Sequence, residues 1–201
     1  LALYLLEVKG ERGPIVKSIT ASDMLFDLGI QHGVPILETG VGFKYASPLM
    51  IKEDALMAGE ESGGYGFRGH IPERDGILSG LLFLDLMDQK NMRPSELVGY
   101  LFSIVGEHHY IRKDVAFAPH EQHMLNRRIS HIADITEISG LKTIATKMED
   151  GCRFRFMNGW VMLRFSGTEP LIRIYAEADT KEKVEMVLSG MQSLLGFYPK
   201  N

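Results

Sequence analysis

Two dipeptides, Asp150-Gly151 and Asn158-Gly159, separate short apolar runs in the second half of this chain, and they constrain its fold more than any other feature. Asp or Asn followed by Gly supplies the positive φ angles of tight hairpin turns, whose twist matches that of paired strands. Around them lie three runs of strand character, Thr143–Met148, Cys152–Met157 and Trp160–Phe165, with a fourth, Leu171–Ala178, after them. The spacing predicts an antiparallel meander. A polar helix over Glu121–Ile132 precedes it, and Asp179-Thr180 leads into a helix over Lys181–Leu195.

The first half has another rhythm. Pro14–Thr20 reads as a strand, Ser22-Asp23 caps a helix running towards Gln31, and Gly33 ends that helix. Val34–Leu37 is a second strand, Tyr45–Ile51 a short helix and Asp54–Ala58 a third strand, followed by a glycine-rich loop, Gly59–Gly69. Asp75-Gly76 opens a helix over Ile77–Met87, and Pro94 starts another that runs through Val105. Strands alternating with helices predict a mostly parallel sheet between helices. The rhythm changes near Gly106–Lys113. The expected fold is therefore a mixed α/β sandwich domain over residues 1–107, then a smaller antiparallel α+β domain over 108–201.

With 201 residues, 45% of them hydrophobic, the chain is long enough to bury a core in each half. Its net charge of -4 and the lack of a basic, aromatic-interleaved stripe argue against a nucleic-acid partner, so any anion site must be local. No apolar run approaches the roughly 18 to 20 residues of a membrane span. The lone Cys152 excludes an intramolecular disulfide, fits a reducing, cytoplasmic compartment, and reads as a buried small hydrophobe. The opening Leu1-Ala-Leu-Tyr-Leu-Leu6 has no initiator methionine and reads as the end of a helix begun upstream, so the chain reads as a fragment. His108, His109, His120, His123 and His131 read as a solvated face and not a metal site; Met124, Met157 and Met162 read as core.

One stretch calls for chemistry. "LRFSGTEPLIR", residues 163–173, places Arg164 and Arg173 on two neighbouring strands around a turn carrying Ser166, Gly167 and Thr168. Guanidinium groups bind phosphate oxygens bidentately, hydroxyls add donors, and a glycine lets backbone N–H groups approach an anion. The bland alternative is a hairpin with two surface arginines paired to Glu169 and Glu177.

This stretch resembles the phosphate-binding loop of the α-D-phosphohexomutases, the phosphoglucomutases and phosphomannomutases: Arg164, Ser166, Gly167, Thr168, Glu169 and Arg173 match, while Phe165 replaces a frequent proline. "GEESGGYGFRGHIPERDG", residues 59–76, resembles that family's sugar-binding loop, with Glu60 and Ser62 on the positions that bond adjacent sugar hydroxyls. Gly64 stands where many members have histidine, and His70 and Arg74 match a His-Ile-x-Glu-Lys-Asp-Gly pattern with Arg74 in place of lysine. "TGVGFKY", residues 39–45, resembles the loop that brings a lysine, here Lys44, to the substrate.

The resemblance covers essentially the whole chain and implies the third and fourth domains of a phosphohexomutase. It implies a hexose phosphate substrate and interconversion of hexose 1- and 6-phosphates through a hexose 1,6-bisphosphate. It also implies a phosphoserine and a Mg²⁺ loop in N-terminal domains of the same polypeptide. Thr20-Ala-Ser22-Asp23 is similar to the phosphoserine loop only in part and reads better as a helix cap, so Ser22 is given no catalytic role. The alternative function is a stand-alone phosphosugar-binding module without catalysis.

Overall fold

Ile15 and Val16 are neighbours on one short strand, point to opposite faces, and are both buried. A strand covered on both faces marks a parallel sheet between helical layers. In the computed structural model, which describes residues 1–197, this strand is β1 (Ile15–Ser18), the centre of a mixed sheet. It is parallel to β2 (Ile36–Thr39) and to β3 (Met57–Gly59), and β4 (Tyr65–Phe67) pairs antiparallel with β3, giving the order β2-β1-β3-β4. Helices α1 (Met24–His32), α2 (Phe43–Lys52), α3 (Gly76–Lys90) and α4 (Pro94–Val105) cover it, and Tyr4–Val8 forms a π-helical turn. Ile15, Met57 and Phe67 pack with Leu28 of α1, Leu86 of α3 and Leu97 of α4. On the opposite face Val16 and Ala58 pack against Phe43, Ala46 and Met50 of α2.

The local stop and start signals act as their chemistry requires. Gly33 closes α1 with φ 65°, Pro94 begins α4, and Asp75 caps α3 by accepting the Leu78 N–H at 2.8 Å. Ser22 Oγ accepts the Met24 N–H at 3.1 Å. Asp23 instead turns to Lys17, whose fully buried ammonium reaches Asp23 Oδ1 at 3.0 Å, Glu38 Oε1 at 3.3 Å and the Ala21 carbonyl at 2.8 Å. Burying a cation without such partners costs far more than a helix cap returns. Strand β4 lies inside the stretch expected to be a glycine-rich loop; its three residues pair with β3 once the intervening turn closes.

The second unit, His108–Asn201, follows the first, Leu1–Glu107, and the last four residues of the expected 108–201 domain lie outside the described part. Its antiparallel sheet has the order β5-β10-β9-β8-β7-β6, with β5 (His109–Ala116), β6 (Glu137–Ile138), β7 (Leu141–Lys147), β8 (Cys152–Phe156), β9 (Gly159–Phe165) and β10 (Leu171–Ala178). Helices α5 (Gln122–Ile132) and α6 (Lys181–Leu195) cover one face, where Phe154, Val161, Ile172 and Ile174 meet Leu125, Ile129, Val184 and Met191. Cys152 belongs to this core, and burial pushes its thiol up to about 11.

Three expectations are corrected here. Strand β5 occupies part of the stretch given no element; its mixed, charged sequence pairs along β10 from Ala116↔Leu171 to His109↔Ala178, a partner far along the chain. The second hairpin turns on Met157-Asn158, with Asn158 at φ 60°, while Gly159 is already in β9 opposite Phe156. A Cβ at 159 would run into the Glu177 carbonyl oxygen and the Phe156 ring, so glycine permits the close approach that starts the strand. Met157, thrown onto the turn, is 71% exposed, and Met124 is also exposed; of the three methionines read as core, only Met162 is buried.

Candidate functional site

The strand order of the first unit singles out one place. From β1 the chain passes outward to β2 and then returns to the other side of β1 at β3, so the connections leave the carboxyl ends of β1 and β3 in opposite directions. In open α/β sheets, ligands gather in the crevice at such a switch point. Glu60 directly follows β3 at this position. The turn after it is closed by Glu60 N–H to Gly64 O (3.0 Å) and Gly63 N–H to Glu60 O (3.1 Å). Glu61 anchors that turn to the end of β1, accepting from Thr20 Oγ1 at 2.6 Å and Ser18 Oγ at 3.2 Å.

Glu60 is only 6% exposed, and its carboxylate is held by the Gly42 N–H and by Arg74 Nη1 at 3.6 Å. Burial raises its pKa above the ordinary value, outweighing the guanidinium's pull in the other direction. Arg74 also reaches Glu73 Oε1 at 3.1 Å, and its guanidinium lies 5.7 Å from the centre of the Phe43 ring. Phe43 in turn presses on β4 at Gly66, where a Cβ would meet the ring. The structure thus brings Gly42 and Phe43, at the start of α2, together with Glu60, Gly64 and Arg74 of the 59–76 stretch. Ser62 is exposed on the turn. His70 is bonded to Asp75 Oδ2 at 2.9 Å, and Lys44 is exposed with its ammonium 4.9 Å from the Tyr45 ring centre.

In the second unit, Arg164 of β9 and Arg173 of β10 are direct cross-strand partners, and Asp114 of β5 lies opposite Arg173 on its other side. Like charges opposed across strands destabilise each other unless something lies between or beside them. Asp150, from the turn before β8, takes Arg164 Nε at 3.1 Å. Arg173 has only longer contacts, 3.9 Å to Asp114 and 3.9 Å to Glu169, and its buried Nε makes no hydrogen bond. Asp114 is otherwise engaged, receiving both Arg112 Nε (2.7 Å) and Arg112 Nη2 (2.6 Å), and that bond holds its carboxyl below the ordinary range. The pairing of Arg173 with Glu169 is thus marginal, and Glu177 is engaged by His108 at 3.0 Å.

The turn joining these arginines is shaped by few atoms. Ser166 N–H donates to Leu171 O at 2.9 Å, and the Ser166 and Thr168 hydroxyls stand 3.5 Å apart. Gly167 has no atom within 4 Å of where a Cβ would be, so the space beside its backbone is open. Phe165 turns away from the turn and packs edge-on against Phe117, with ring centroids 5.6 Å apart. Sequence reasoning had not singled out Gly42, Phe43, Glu61, Asp114 or Asp150. Asp150 was visible in its Asp-Gly turn, while Asp114 lies on a strand that carried no recognisable signal.

Comparison with known proteins follows the same division. Residues 1–104 match the model of the phosphoglucomutase/phosphomannomutase α/β/α domain III, and residues 124–191 match that of its C-terminal domain. The chain is 33% identical over 190 residues to a phosphoglucosamine mutase of Methanocaldococcus jannaschii, covering 94% of this chain and 40% of the relative. It is 28% identical over 176 residues to a phosphoglucomutase/phosphomannomutase of Thermococcus kodakarensis, covering 88% and 36% respectively. A crystal structure from Thermus thermophilus, assigned as a phosphomannomutase, superposes with a TM-score of 0.77 at 30% identity, covering 97% of this chain and 40% of that one. The chain therefore spans 36–40% of the length of these proteins. With both units matched in order by the family's own domains, the chain belongs to the α-D-phosphohexomutases, the phosphoglucomutase/phosphomannomutase family.

Proposed function

We propose that this chain holds the substrate of a phosphohexomutase while a phosphoserine carried elsewhere in the polypeptide transfers the phosphoryl group. In this reading the first unit accepts sugar hydroxyls and the second seats the phosphate that is not reacting. A carboxylate accepts hydroxyl protons without donating any, so Glu60, with Ser62 beside it, is suited to two adjacent sugar hydroxyls. Arg164 and Arg173, with Ser166, Gly167 and Thr168, supply positive charge and donors to a phosphate dianion. Positioning by such preorganised charge is the main help a binding loop can give phosphoryl transfer.

The reaction this reading assigns to the whole protein turns a bound hexose 1,6-bisphosphate end for end, so one phosphate seat must serve both phosphates in turn. Lys44, His70 and Arg74 are the further candidates for substrate contact. The family resemblance also implies Mg²⁺. Among the described residues no group of three or more His, Cys, Asp or Glu is placed to hold a metal ion, and in this reading the Mg²⁺ ligands lie elsewhere in the polypeptide.

One observation carries the reading: Arg173 faces Arg164 directly across the strands with a buried Nε that makes no hydrogen bond, beside a turn open at Gly167. That arrangement suits an anion better than it suits its own carboxylates. The test is calorimetric titration of this chain and of Glu60→Gln with glucose 6-phosphate and with inorganic phosphate. Glu60→Gln keeps the shape and removes the charge, so glucose 6-phosphate is expected to bind more weakly while phosphate binding is kept. Equal losses for both ligands would contradict the assignment of Glu60. This chain by itself is expected to give no mutase turnover in a coupled assay.

A further inference from the structure

Arg164 and Arg173 stand opposite each other, yet they are held unequally. Arg173 reaches Asp114 and Glu169 only at 3.9 Å. Arg164 is tied down, its Nε donating to Asp150 Oδ1 at 3.1 Å. That bond uses one N–H of the guanidinium. It leaves the edge formed by Nη1 and Nη2, which is suited to a bidentate grip on phosphate oxygens.

The turn that supplies Asp150 is built against the strand that carries Arg164. Cys152 pairs with Leu163, so the residues just before Cys152 arrive beside Arg164. Gly151, at φ 134°, lies so close to β9 that a Cβ there would overlap the Leu163 carbonyl oxygen and stand 3.3 Å from Arg164 Cβ. Asp150 has φ 52°, a left-handed conformation that Asp, Asn and Gly adopt most readily. The glycine admits the close approach, and the approach sets the carboxylate against Arg164 Nε.

By charge alone a carboxylate beside an anion seat is misplaced, because it repels phosphate. Its geometry supplies a reason for it. A mobile arginine loses side-chain freedom when it grips a ligand, whereas one already held has less to lose. We propose that Asp150 is a positioning residue for the phosphate seat: it holds Arg164 through Nε, so that the terminal nitrogens are set before the anion arrives. This rests on the reading of residues 164–173 as a phosphate seat.

The test is calorimetric titration of inorganic phosphate into this chain and into Asp150→Gly, Asp150→Asn and Arg164→Ala, with Asp150→Gly also made in the Arg164→Ala background. Glycine accepts φ 52° without strain and removes the side chain; asparagine keeps an acceptor oxygen and removes the charge. Melting curves without phosphate check that each variant is folded. The freedom returned to Arg164 in Asp150→Gly is expected to raise Kd about two- to tenfold, although a repelling charge has gone. Asp150→Asn is expected to bind as tightly as the parent or more tightly. In the Arg164→Ala background Asp150→Gly weakens binding no further, since no guanidinium is left to hold.

Binding that is unchanged or tighter in Asp150→Gly would overturn the proposal, because charge alone predicts that result. So would Asp150→Asn binding more weakly than the parent, or a loss in Asp150→Gly that persists without Arg164. With a parent that binds phosphate and an Arg164→Ala variant that binds it less well, each of these counts against this inference alone. A parent that does not bind phosphate, or an Arg164→Ala variant that binds it equally well, removes the inference together with the phosphate-seat reading.

Discussion

Replacing Arg173 with alanine separates an anion seat from a structural ion pair, because the two predict opposite responses. Without ligand, the side chain contributes contacts of 3.9 Å to Asp114 and 3.9 Å to Glu169, too long for hydrogen bonds. Asp114 keeps its two bonds from Arg112 when Arg173 is gone, so no carboxylate is stranded. Partly exposed pairs of this kind are worth about 0–1 kcal/mol, and relief of the Arg164–Arg173 opposition works the other way. Ligand-free melting of the second unit is therefore expected to change little. With phosphate at tenfold over its Kd, the parent gains about 1.4 kcal/mol by mass action. For a domain of 60–100 residues that is a rise of about 6–11 °C.

A guanidinium–phosphate hydrogen bond contributes about 1.5–3 kcal/mol, so Arg173→Ala raises Kd at least about tenfold. At the same phosphate concentration the gain then falls to about 0.4 kcal/mol, a rise of about 2–3 °C. The assay is thermal melting of both proteins, with and without phosphate or sulfate, at matched ionic strength. A parent melting temperature indifferent to phosphate would refute the anion seat. So would a variant that is much less stable without ligand yet keeps the full phosphate response, since that is the signature of a broken structural pair.

Two further predictions address the fold and the buried carboxyl. Gly159→Ala forces a Cβ towards the Glu177 carbonyl and the Phe156 ring, so a loss of about 1–3 kcal/mol is expected in denaturant unfolding; an unchanged midpoint would mean the hairpin does not need that approach. Because burial raises the Glu60 pKa in the folded state, the unfolded chain loses its proton first as pH climbs. Stability is therefore expected to fall from the ordinary carboxyl value of 4.5 up to the raised folded one and to level off beyond it, a component that Glu60→Gln removes from the melting-temperature profile.

The features that sequence determined by itself are those whose causes are local. Gly33, Asp75 and Pro94 mark helix ends through their own φ angle, side-chain acceptor and missing N–H, needing no partner elsewhere. The Asp150-Gly151 and Asn158-Gly159 turn signals placed β8 and β9 to within a residue, because they bound the two short runs of strand character. The motif stretches also singled out Glu60, Arg74, Arg164 and Arg173 as candidates, because their spacing along the chain is itself the pattern.

What tertiary structure decided is everything that depends on which atoms approach from elsewhere. β5 has no strong strand pattern of its own and exists because β10 supplies its hydrogen bonds. Whether Arg173 was a satisfied surface arginine or one with an unbonded Nε depended on Asp114, on a strand the sequence did not reveal, and on that residue's prior engagement with Arg112. Gly64 looked in sequence like a lost histidine. Only in three dimensions is its place taken by a side chain from position 74, because two loops that close on the same carboxylate compete for one volume, and close-packed protein leaves room for one of them.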